Sequence, residues 1–304
     1  MATTSRPRTH GPLWKRAAKR LRSLAHRGLT AADHLAPWRD NELLPPAHLR
    51  IYYYRTWKPE AFARACGRAR TELDLAGLRP EHRVLDIGSG IGNLAVGLVG
   101  YLRGTYDGIE VHKEAVASCR GAITPRHPAF RFHHADVANG AYNPDGRSQA
   151  AAYHFPFPDR SFDVIFLASV YTHLLPTDAA HYVHEVARLL APDGFCVASY
   201  FLLDNERRES IDAGRSFLPF PVEHSSGVCR LHRASSPESA VAYEESFIQR
   251  LHEESGLRLR HVRRGQWWRG VSDDQDVVVA GHANEDAGSQ STEIEKERCR
   301  TEAE

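Results

Sequence analysis

Short apolar runs of strand length alternate with helical patterns along most of this 304-residue chain. Five such runs predict strands, and most of them are flanked by Gly, Pro or Asp. These runs are Arg83–Ile87, Tyr106–Glu110, Ala129–His133, Asp163–Leu167 and Gly194–Tyr200. Between them, apolar residues recur at helical spacing, and the predicted helices are Asn93–Leu102, Lys113–Ile123 and Ala179–Leu190. Strands that alternate with helices indicate βαβ units with right-handed crossovers and a mostly parallel sheet.

Near the C-terminus the pattern changes, because the last two predicted strands have no helix between them. They lie at Leu257–Arg264 and Val277–Ala280, and their succession predicts an antiparallel hairpin at the edge of the sheet. The expected fold class is α/β, with a doubly wound, mostly parallel seven-stranded sheet and this C-terminal antiparallel hairpin. We expect the last of the three helices to begin with a cap at Thr177-Asp178.

Two segments in front of the sheet predict appendages. Residues 1–33 carry eight Lys/Arg residues. If residues 12–28 are helical, Leu, Trp and Ala side chains share one stripe and basic side chains occupy the rest. Such a helix can make weak contact with an anionic membrane surface. The alternative interpretation is a solvated basic arm. Residues 34–80, with an amphipathic helix around Pro59–Leu73, predict a helical arm that covers the substrate or the cofactor.

The main domain is expected at residues 81–282. Residues 204–255 within it are too long for a simple connection, contain a helical pattern at Pro237–Glu254, and are expected to form a substrate-facing insertion. Residues 283–304 are rich in Glu, Ser and Thr and have little to bury, so we expect a disordered acidic tail.

Composition and charge exclude several functional classes. The formal net charge of +1 gives no electrostatic argument for nucleic-acid binding. The five cysteines show no Cys-x-x-Cys or Cys/His ligand spacing, so we expect neither a disulfide framework nor a metal site. The longest apolar run, around Val164–Val170, is too short to cross a bilayer, and the N-terminus lacks a signal-peptide pattern. We therefore expect a soluble cytoplasmic protein.

A strand that runs into a three-glycine turn is the sharpest local feature. Residues Val84–Asn93 read Val-Leu-Asp-Ile-Gly-Ser-Gly-Ile-Gly-Asn, so the strand meets Gly88, Gly90 and Gly92 before a helix begins. Glycines allow a tight bend and a close approach of the backbone to a ligand. The spacing differs from the Gly-x-Gly-x-x-Gly of dinucleotide sites, and no P-loop sequence follows. A plain tight turn is the alternative interpretation.

Two acidic residues are expected at the same edge of the sheet as this turn. Glu110 ends the second predicted strand, where a carboxylate can accept two hydrogen bonds from a ribose diol. Asp136 follows the third strand, where it can accept a hydrogen bond from an exocyclic amine. The alternative for Glu110 is a surface charge before the next helix, and for Asp136 a residue of a turn or a helix cap.

The glycine turn, the acid before it and the two acids after it together resemble class I S-adenosylmethionine-dependent methyltransferases. Phe155–Ile165 is similar to the stretch that leads into that family's fourth strand. Leu189–Gly194 is similar to its Leu-Leu-x-Pro-Gly-Gly turn, with Asp193 in place of the first glycine. The match covers about residues 80–200, and it implies a Rossmann-like methyltransferase fold with S-adenosyl-L-methionine as cofactor.

The resemblance also implies a role for each residue of the turn. Gly88, Ser89 and Gly90 are expected against the methionine part of the cofactor. Asp86 is expected to orient the amino group of the methionine part, directly or through water. Glu110 is expected to bind the ribose hydroxyls.

Beyond the turn, the resemblance implies that Asp136 binds the adenine amine and that Val137 lies near the adenine ring. Ala168 and Ser169, at the end of the fourth strand, are expected to line the methionine end through backbone groups. His173 follows shortly after, where substrates meet the cofactor in this fold, and an imidazole that titrates near neutrality suits a general base. The alternative is a histidine that only fixes its loop by hydrogen bonding.

These observations favour a methyltransferase with a small-molecule or glycan-related acceptor. Methylation of nucleic-acid amino groups is disfavoured, because Ala168–Tyr171 stands where that class has an Asn/Asp-Pro-Pro-Tyr/Phe sequence. Two alternatives stay open. One is a non-catalytic scaffold that binds S-adenosylmethionine, and the other is a nucleotide-sugar or NAD-dependent oxidoreductase, for which the glycine spacing is unfavourable.

Overall fold

The computed structural model describes residues 43–140, 142–270 and 274–283. The basic arm, with its predicted membrane-contacting helix at residues 12–28, lies outside these described residues, and so does the acidic tail after residue 283. In the described part of the chain, no helix is both long enough and apolar enough to span a bilayer.

The chain divides into two compact units, residues 1–64 and residues 65–304. The α-helices of the described residues are, in chain order, α1 (Ala47–Tyr54), α2 (Pro59–Leu75), α3 (Asn93–Leu98), α4 (Lys113–Ala122), α5 (Pro176–Leu189), α6 (Asn205–Asp212) and α7 (Glu245–Glu254). α1 belongs to the first unit, and α2 begins there and continues into the second. Within the first unit, the guanidinium group of Arg50 donates hydrogen bonds to the main-chain carbonyls of Pro45 and Trp57 and so ties the two ends of α1 together.

The described residues form eleven strands, and seven of them, all in the second unit, form the predicted, mostly parallel sheet. The strands are, in chain order, β1 (Val84–Ile87), β2 (Tyr106–Glu110), β3 (Phe130–His134), β4 (Phe162–Leu167), β5 (Leu190–Tyr200), β6 (Leu202–Leu203), β7 (Val222–His224), β8 (Cys229–Leu231), β9 (Val241–Glu244), β10 (Leu257–Arg263) and β11 (Asp276–His282). The large sheet has the order β10-β11-β5-β4-β1-β2-β3. β1 to β5 are parallel, whereas β11 is antiparallel to both β5 and β10. The predicted fold class and the C-terminal hairpin are therefore confirmed.

Two helices differ from the prediction at their ends. α3 ends four residues before the predicted end, because Val99 leaves helical geometry (ψ 132°) and Gly100 has a φ of 80°. α5 begins at Pro176, whose fixed φ suits the first position of a helix, and Leu175 is its N-cap. The predicted cap at Thr177-Asp178 is therefore wrong, since both residues lie inside the first turn.

A second sheet has four strands, in the order β6-β9-β8-β7; β7, β8 and β9 belong to the insertion, and β6 lies directly before it. β9 pairs in parallel with β6 and antiparallel with β8. The helix predicted at Pro237–Glu254 is wrong in its first half. Pro237–Ser239 is a short 3-10 turn, the next element is strand β9, and α7 starts only at Glu245.

The two faces of β9 contact two hydrophobic clusters. Val241 and Tyr243 point into the main core, which also contains side chains of β1, β4 and β5. Ala242 points into a smaller cluster with Phe220 and Trp267. This alternation has the period of a strand, and it explains why a helical interpretation fails here. Because the main core contains residues of both sheets, the insertion packs directly against the parallel sheet.

A buried carboxylate joins the insertion to the last strand. Asp276, at the start of β11, accepts hydrogen bonds from Trp267 Nε1 (2.9 Å) and from the backbone N–H groups of Leu202 (2.8 Å) and Gly265 (2.9 Å). The guanidinium group of Arg207 in α6 is the fourth donor, at 3.1 Å. These partners compensate the cost of burying the charge, and the ion pair with Arg207 fixes the insertion to the start of β11.

Candidate functional site

The glycine turn lies between β1 and α3, at the carboxyl edge of the parallel sheet. Gly88, Gly90 and Gly92 have φ values of 76°, 52° and 88°, a conformation that L side chains rarely adopt. At Gly88 there is also no space for a side chain, since a Cβ atom would lie 2.5 Å from Cγ2 of Val170. The turn therefore requires glycine, and it brings the end of β1 against the segment that follows β4.

Glu110 ends β2 and directs its carboxylate into the glycine turn. One oxygen accepts a hydrogen bond from the N–H of Gly90 and the other from the N–H of His112, both at 2.8 Å. The residue is only 6% exposed, and burial raises the pKa of its carboxyl group. Each carboxylate oxygen has a second lone pair, so both can accept a further hydrogen bond from a diol without releasing the turn. Glu110 is thus buried beside the glycine turn and is not a surface charge, and its role as a ligand of the ribose stays a prediction.

Asp86 precedes the turn and is almost completely buried. Its carboxylate accepts a hydrogen bond from the hydroxyl of Tyr106 at 2.6 Å. The pKa of Asp86 is raised to about 7. Burial is the main cause, the hydrogen bond from Tyr106 opposes it, and the neighbouring Glu110 adds to it. Burial and the same two carboxylates raise the pKa of the Cys119 thiol to about 12. The burial and the two acids therefore disfavour further negative charge at the glycine turn.

The donors and acceptors around the turn indicate which ligands fit it. The hydroxyl of Ser89 is buried without a hydrogen-bond partner among the described residues. Asp86 and Glu110 contact hydroxyl and N–H donors, and no ion pair within the described residues involves either carboxylate. A ligand with a positive charge, hydroxyl donors and a polar group for Ser89 therefore fits this site. An anionic pyrophosphate does not.

Asp136 lies two residues after the end of β3, at the predicted edge of the sheet. Its carboxylate forms an ion pair with the exposed Arg147 (Nε to Oδ2, 2.5 Å), and this hydrogen bond lowers the pKa of Asp136. Its main-chain carbonyl accepts a hydrogen bond from Arg147 N–H at 3.1 Å. Val137 is buried in the main core. Asp136 thus has the turn contacts of the alternative interpretation, and its role toward an adenine amine stays a prediction.

The residue that follows β4 by two positions, Ser169, is held by hydrogen bonds with the side chains of Ser199 and Gln275. Ser169 has a left-handed φ of 56°, and its N–H donates to Oγ of Ser199 at 2.7 Å. The hydroxyls of Ser169 and Ser199 both donate to Oε1 of Gln275, at 3.1 and 2.6 Å. Ala168 and Ser169 are exposed at this edge, as a role in lining a ligand requires. This closed ring of contacts keeps the backbone in an unfavourable conformation beside the glycine turn.

His173 lies in a short 3-10 turn beyond β4, Tyr171–His173. Its Nδ1 lies 2.9 Å from the carbonyl oxygen of Glu238, which can only accept, so Nδ1 carries the proton and donates. In the neutral ring the lone pair then lies on Nε2. Burial lowers the pKa of His173, and the hydrogen bond to Glu238 partly offsets this effect. The ring is therefore neutral at pH 7 and carries a basic nitrogen, which both interpretations of His173 allow.

The structure brings most of the predicted site residues together. Around the turn it groups Asp86, Gly88, Ser89, Gly90 and Glu110, and the contact of Gly88 with Val170 joins the segment of Ser169 to them. The sequence interpretation missed five residues that contact the predicted site residues. Tyr106 contacts Asp86, and both Ser199 and Gln275 contact Ser169. Glu238 and the ring of Tyr142 contact His173. Only Tyr106 has a signal in the sequence, because it is four positions from Glu110 and therefore on the same face of the same strand.

Residues 85–198, from β1 into β5, match a family model described as a methyltransferase domain. A curated relative, the uncharacterized methyltransferase YcgJ of Bacillus subtilis (strain 168), is 34% identical over 122 residues, which are 40% of this chain and 42% of the relative. The sterol 24-C-methyltransferase erg6 of Schizosaccharomyces pombe is 22% identical over 195 residues, 63% of this chain and 47% of the relative. The chain thus spans less than half the length of these curated relatives.

Among solved structures, this chain is similar to the 1,6-didemethyltoxoflavin-N1-methyltransferase of Burkholderia thailandensis with bound 1,6-didemethyltoxoflavin and S-adenosylhomocysteine. The TM-score is 0.50 at 16% sequence identity, and the match covers 82% of this chain and 91% of that one. At this level of identity the similarity shows the fold. The Rossmann-like fold expected from the sequence is therefore confirmed.

Proposed function

We propose, from the class I methyltransferase domain to which residues 85–198 belong, that this chain is an S-adenosyl-L-methionine-dependent methyltransferase. The observation that carries the proposal is the pair of buried carboxylates at the glycine turn, Asp86 and Glu110. Both have raised pKa values, and no ion pair within the described residues involves either of them. A bound cation would stabilise the anionic forms of both acids, whereas the pyrophosphate of NAD would destabilise them further, which makes the oxidoreductase alternative unfavourable.

In this proposal the residues of the turn hold the cofactor. Glu110 keeps its contacts with the turn and uses its remaining lone pairs for the two ribose hydroxyls. Asp86 faces the amino group, and the unpartnered hydroxyl of Ser89 binds a polar group of the methionine part. Gly88 and Gly90 let the backbone approach without steric conflict.

The ends of β3 and β4 serve the two ends of the cofactor. Asp136 binds the adenine amine with the oxygen that is not occupied by Arg147, and Val137 lies below the ring. Ser169 lines the methionine end through its backbone, which the contacts with Ser199 and Gln275 hold in place. When bound, S-adenosyl-L-methionine supplies a methyl group on a sulfonium centre. The protein's further task is to align the acceptor and to exclude water.

His173 is the general base in this proposal. It is neutral at pH 7, and its Nδ1–H bond to the carbonyl of Glu238 leaves Nε2 able to take a proton from an acceptor hydroxyl. We expect His173→Ala to abolish methyl transfer while it leaves affinity for S-adenosylhomocysteine unchanged. Normal turnover of this variant, measured as S-adenosylhomocysteine formation, would reduce His173 to a residue of the loop.

The proposed acceptor is a small molecule or a glycan-related compound and not a nucleic acid. The Burkholderia methyltransferase binds 1,6-didemethyltoxoflavin, which supports a small-molecule acceptor. The insertion supports it too, because its 3-10 turn Pro237–Ser239 contacts His173, the proposed base that must reach the acceptor. The four described cysteines are free thiols, which supports the cytoplasmic location predicted from the sequence.

Calorimetric titration of the full chain with S-adenosylhomocysteine and with NAD tests the proposal. We expect S-adenosylhomocysteine to bind and NAD not to bind. Binding of NAD alone would overturn the cofactor assignment. Binding of S-adenosylhomocysteine without turnover on any of a panel of hydroxylated small molecules and saccharides would favour the non-catalytic scaffold.

A further inference from the structure

Three segments that are distant in the sequence meet around His173. Asn139 Nδ2, in the loop after β3, donates a hydrogen bond to the main-chain carbonyl of His173 at 3.3 Å. The N–H of Gly140, in the same loop, donates to the carboxylate of Glu238. The carbonyl of Glu238 in turn accepts the hydrogen bond from Nδ1 of His173 at 2.9 Å. These contacts close a ring that joins the loop after β3, the turn after β4 and the insertion.

The insertion contacts the same segment at a second, independent point. The hydroxyl of Tyr243, in β9, donates to the carbonyl of Leu174 at 2.6 Å, and the Tyr243 side chain is fully buried. Gly140 also lies close to the carboxylate of Glu238, since a Cβ atom on Gly140 would lie 2.7 Å from it. The carbonyl of Glu238 is therefore held at His173 by contacts on both sides of it.

We infer that Glu238 is a positioning residue, which acts through His173, in a role that rests on the proposed function. Its carbonyl keeps the proton of the neutral ring on Nδ1, so that the lone pair faces away from the insertion on Nε2. Its carboxylate anchors the 3-10 turn to Gly140, so that the carbonyl stays in place. A hydrogen bond at one ring nitrogen decides the protonation of the other, and here the insertion supplies that bond.

Ring nitrogen spectroscopy on the full chain, labelled with [15N]histidine, tests this inference. Long-range 1H–15N spectra are recorded above the pH at which His173 titrates, and His173→Gln identifies its signals by their loss. Glu238→Ala removes the carboxylate, whereas the amide oxygen of Glu238→Gln can still accept the N–H of Gly140. Glu223→Ala, which removes an exposed acid from β7 of the same insertion, is the matched control.

We expect the Nδ1–H tautomer in the wild type, in Glu238→Gln and in Glu223→Ala. We expect Glu238→Ala to move about half or more of the population to Nε2–H, with an affinity for S-adenosylhomocysteine within about twofold of the wild type. The Nε2–H tautomer in the wild type, or Nδ1–H retained in Glu238→Ala, would overturn the inference. If Glu238→Ala does not fold, Glu238→Asp, with a carboxylate one methylene shorter, replaces it with the same expectations.

The two proposals fail in different ways. The tautomer is measured without any ligand, so a wild-type protein that does not bind S-adenosylhomocysteine counts against the proposed function alone. A protein that binds it but keeps Nδ1–H in Glu238→Ala counts against the positioning role alone.

Discussion

The proposed site has a cofactor side and an acceptor side, and the two differ in how far apart in the sequence their contacting residues lie. The cofactor side comes from β1, the glycine turn and β2, which are consecutive in the chain. Its two polar contacts, Gly90 with Glu110 and Asp86 with Tyr106, each join residues 20 positions apart. These two contacts lie within one βαβ unit, and the ends of β3 and β4 add the proposed contacts of Asp136 and Ser169.

The acceptor side depends on segments that are far apart in the chain. His173 and Glu238 are separated by 65 positions. Ser169, which we place at the methionine end of the cofactor next to this side, lies 106 positions from its partner Gln275. These partners come from the insertion and from the residue before β11. We therefore expect the contacts around the glycine turn to survive damage to the insertion, and the contacts of His173 to be lost. Selective disruption of either side tests this division.

The largest effect is expected from the buried anchor of the insertion. Asp276→Asn leaves a neutral amide, with two N–H donors of its own, facing Arg207 and three N–H groups. We expect the free energy of unfolding to fall by about 3–5 kcal/mol, the range for breaking a buried charge network. Urea denaturation measures the loss. Below the melting temperature, affinity for S-adenosylhomocysteine should stay unchanged, because the cofactor side does not involve Asp276.

Asp274→Asn is the matched control for this experiment. Asp274 lies two residues earlier, is partly exposed, and pairs with Arg263. We expect a loss below about 1 kcal/mol, as is usual for an exposed pair. Loss of S-adenosylhomocysteine binding in folded Asp276→Asn would contradict the independence of the two sides.

On the cofactor side, Asp86 makes stability depend on pH. Its pKa in the folded chain, about 7, lies above its ordinary value of 3.8, so the folded chain holds a proton that the unfolded chain releases between these values. The stability contributed by this group is fully present below about pH 4 and is lost as pH rises through about 7. Asp86→Asn can still accept the Tyr106 hydroxyl but cannot ionise.

We therefore expect Asp86→Asn to gain stability relative to the wild type between pH 5 and pH 8. A pKa rise of this size corresponds to at most about 4 kcal/mol. Urea denaturation at each pH measures the difference, with Asp193→Asn, an exposed acid of β5, as the control. A difference that is the same at every pH would show that Asp86 is already ionised in the folded chain.

The cofactor side was also the part that the sequence predicted well. The predicted strand Tyr106–Glu110 is identical to β2, and its carboxyl end lies beside the glycine turn, because parallel strands end at one edge of the sheet. No knowledge of distant contacts was needed to expect Glu110 there. The contact of Glu110 with Gly90 follows from this local geometry.

The acceptor side was predictable only in part. His173 was expected from its place after β4, but its partner Glu238 lies in a segment that the sequence predicts to be helical. Glu, Ser and Ala around Val241 favour a helix, whereas pairing with β6 and β8 imposes a strand. Tertiary pairing overrides local preference in such a case. A single sequence contains no signal for a contact of this range.

Glu110→Ala is expected to have an intermediate effect, on binding. The variant loses the proposed contacts with the ribose hydroxyls and leaves the buried N–H of Gly90 without its acceptor. We expect affinity for S-adenosylhomocysteine to fall by about 1–3 kcal/mol, which is about 5- to 150-fold. Glu114→Ala, at an exposed position in α4, should bind normally. Unchanged affinity in Glu110→Ala would show that this carboxylate does not face the ribose.

The smallest effect is expected from Ser199→Ala, on the acceptor side. The hydroxyl of Ser199 accepts the N–H of Ser169 and donates to Gln275, so its loss removes the contact that holds the left-handed backbone at the end of β4. We expect a loss of about 0.5–1.5 kcal/mol in the free energy of unfolding and faster hydrogen exchange of the Ser169 amide. Ser161→Ala, which removes a hydroxyl bonded to Pro158, controls for the loss of a surface hydroxyl. If the Ser169 amide of Ser199→Ala exchanges as slowly as in the wild type, the distant Ser199 does not maintain this conformation. The residues flanking Ser169 would then be sufficient to maintain it.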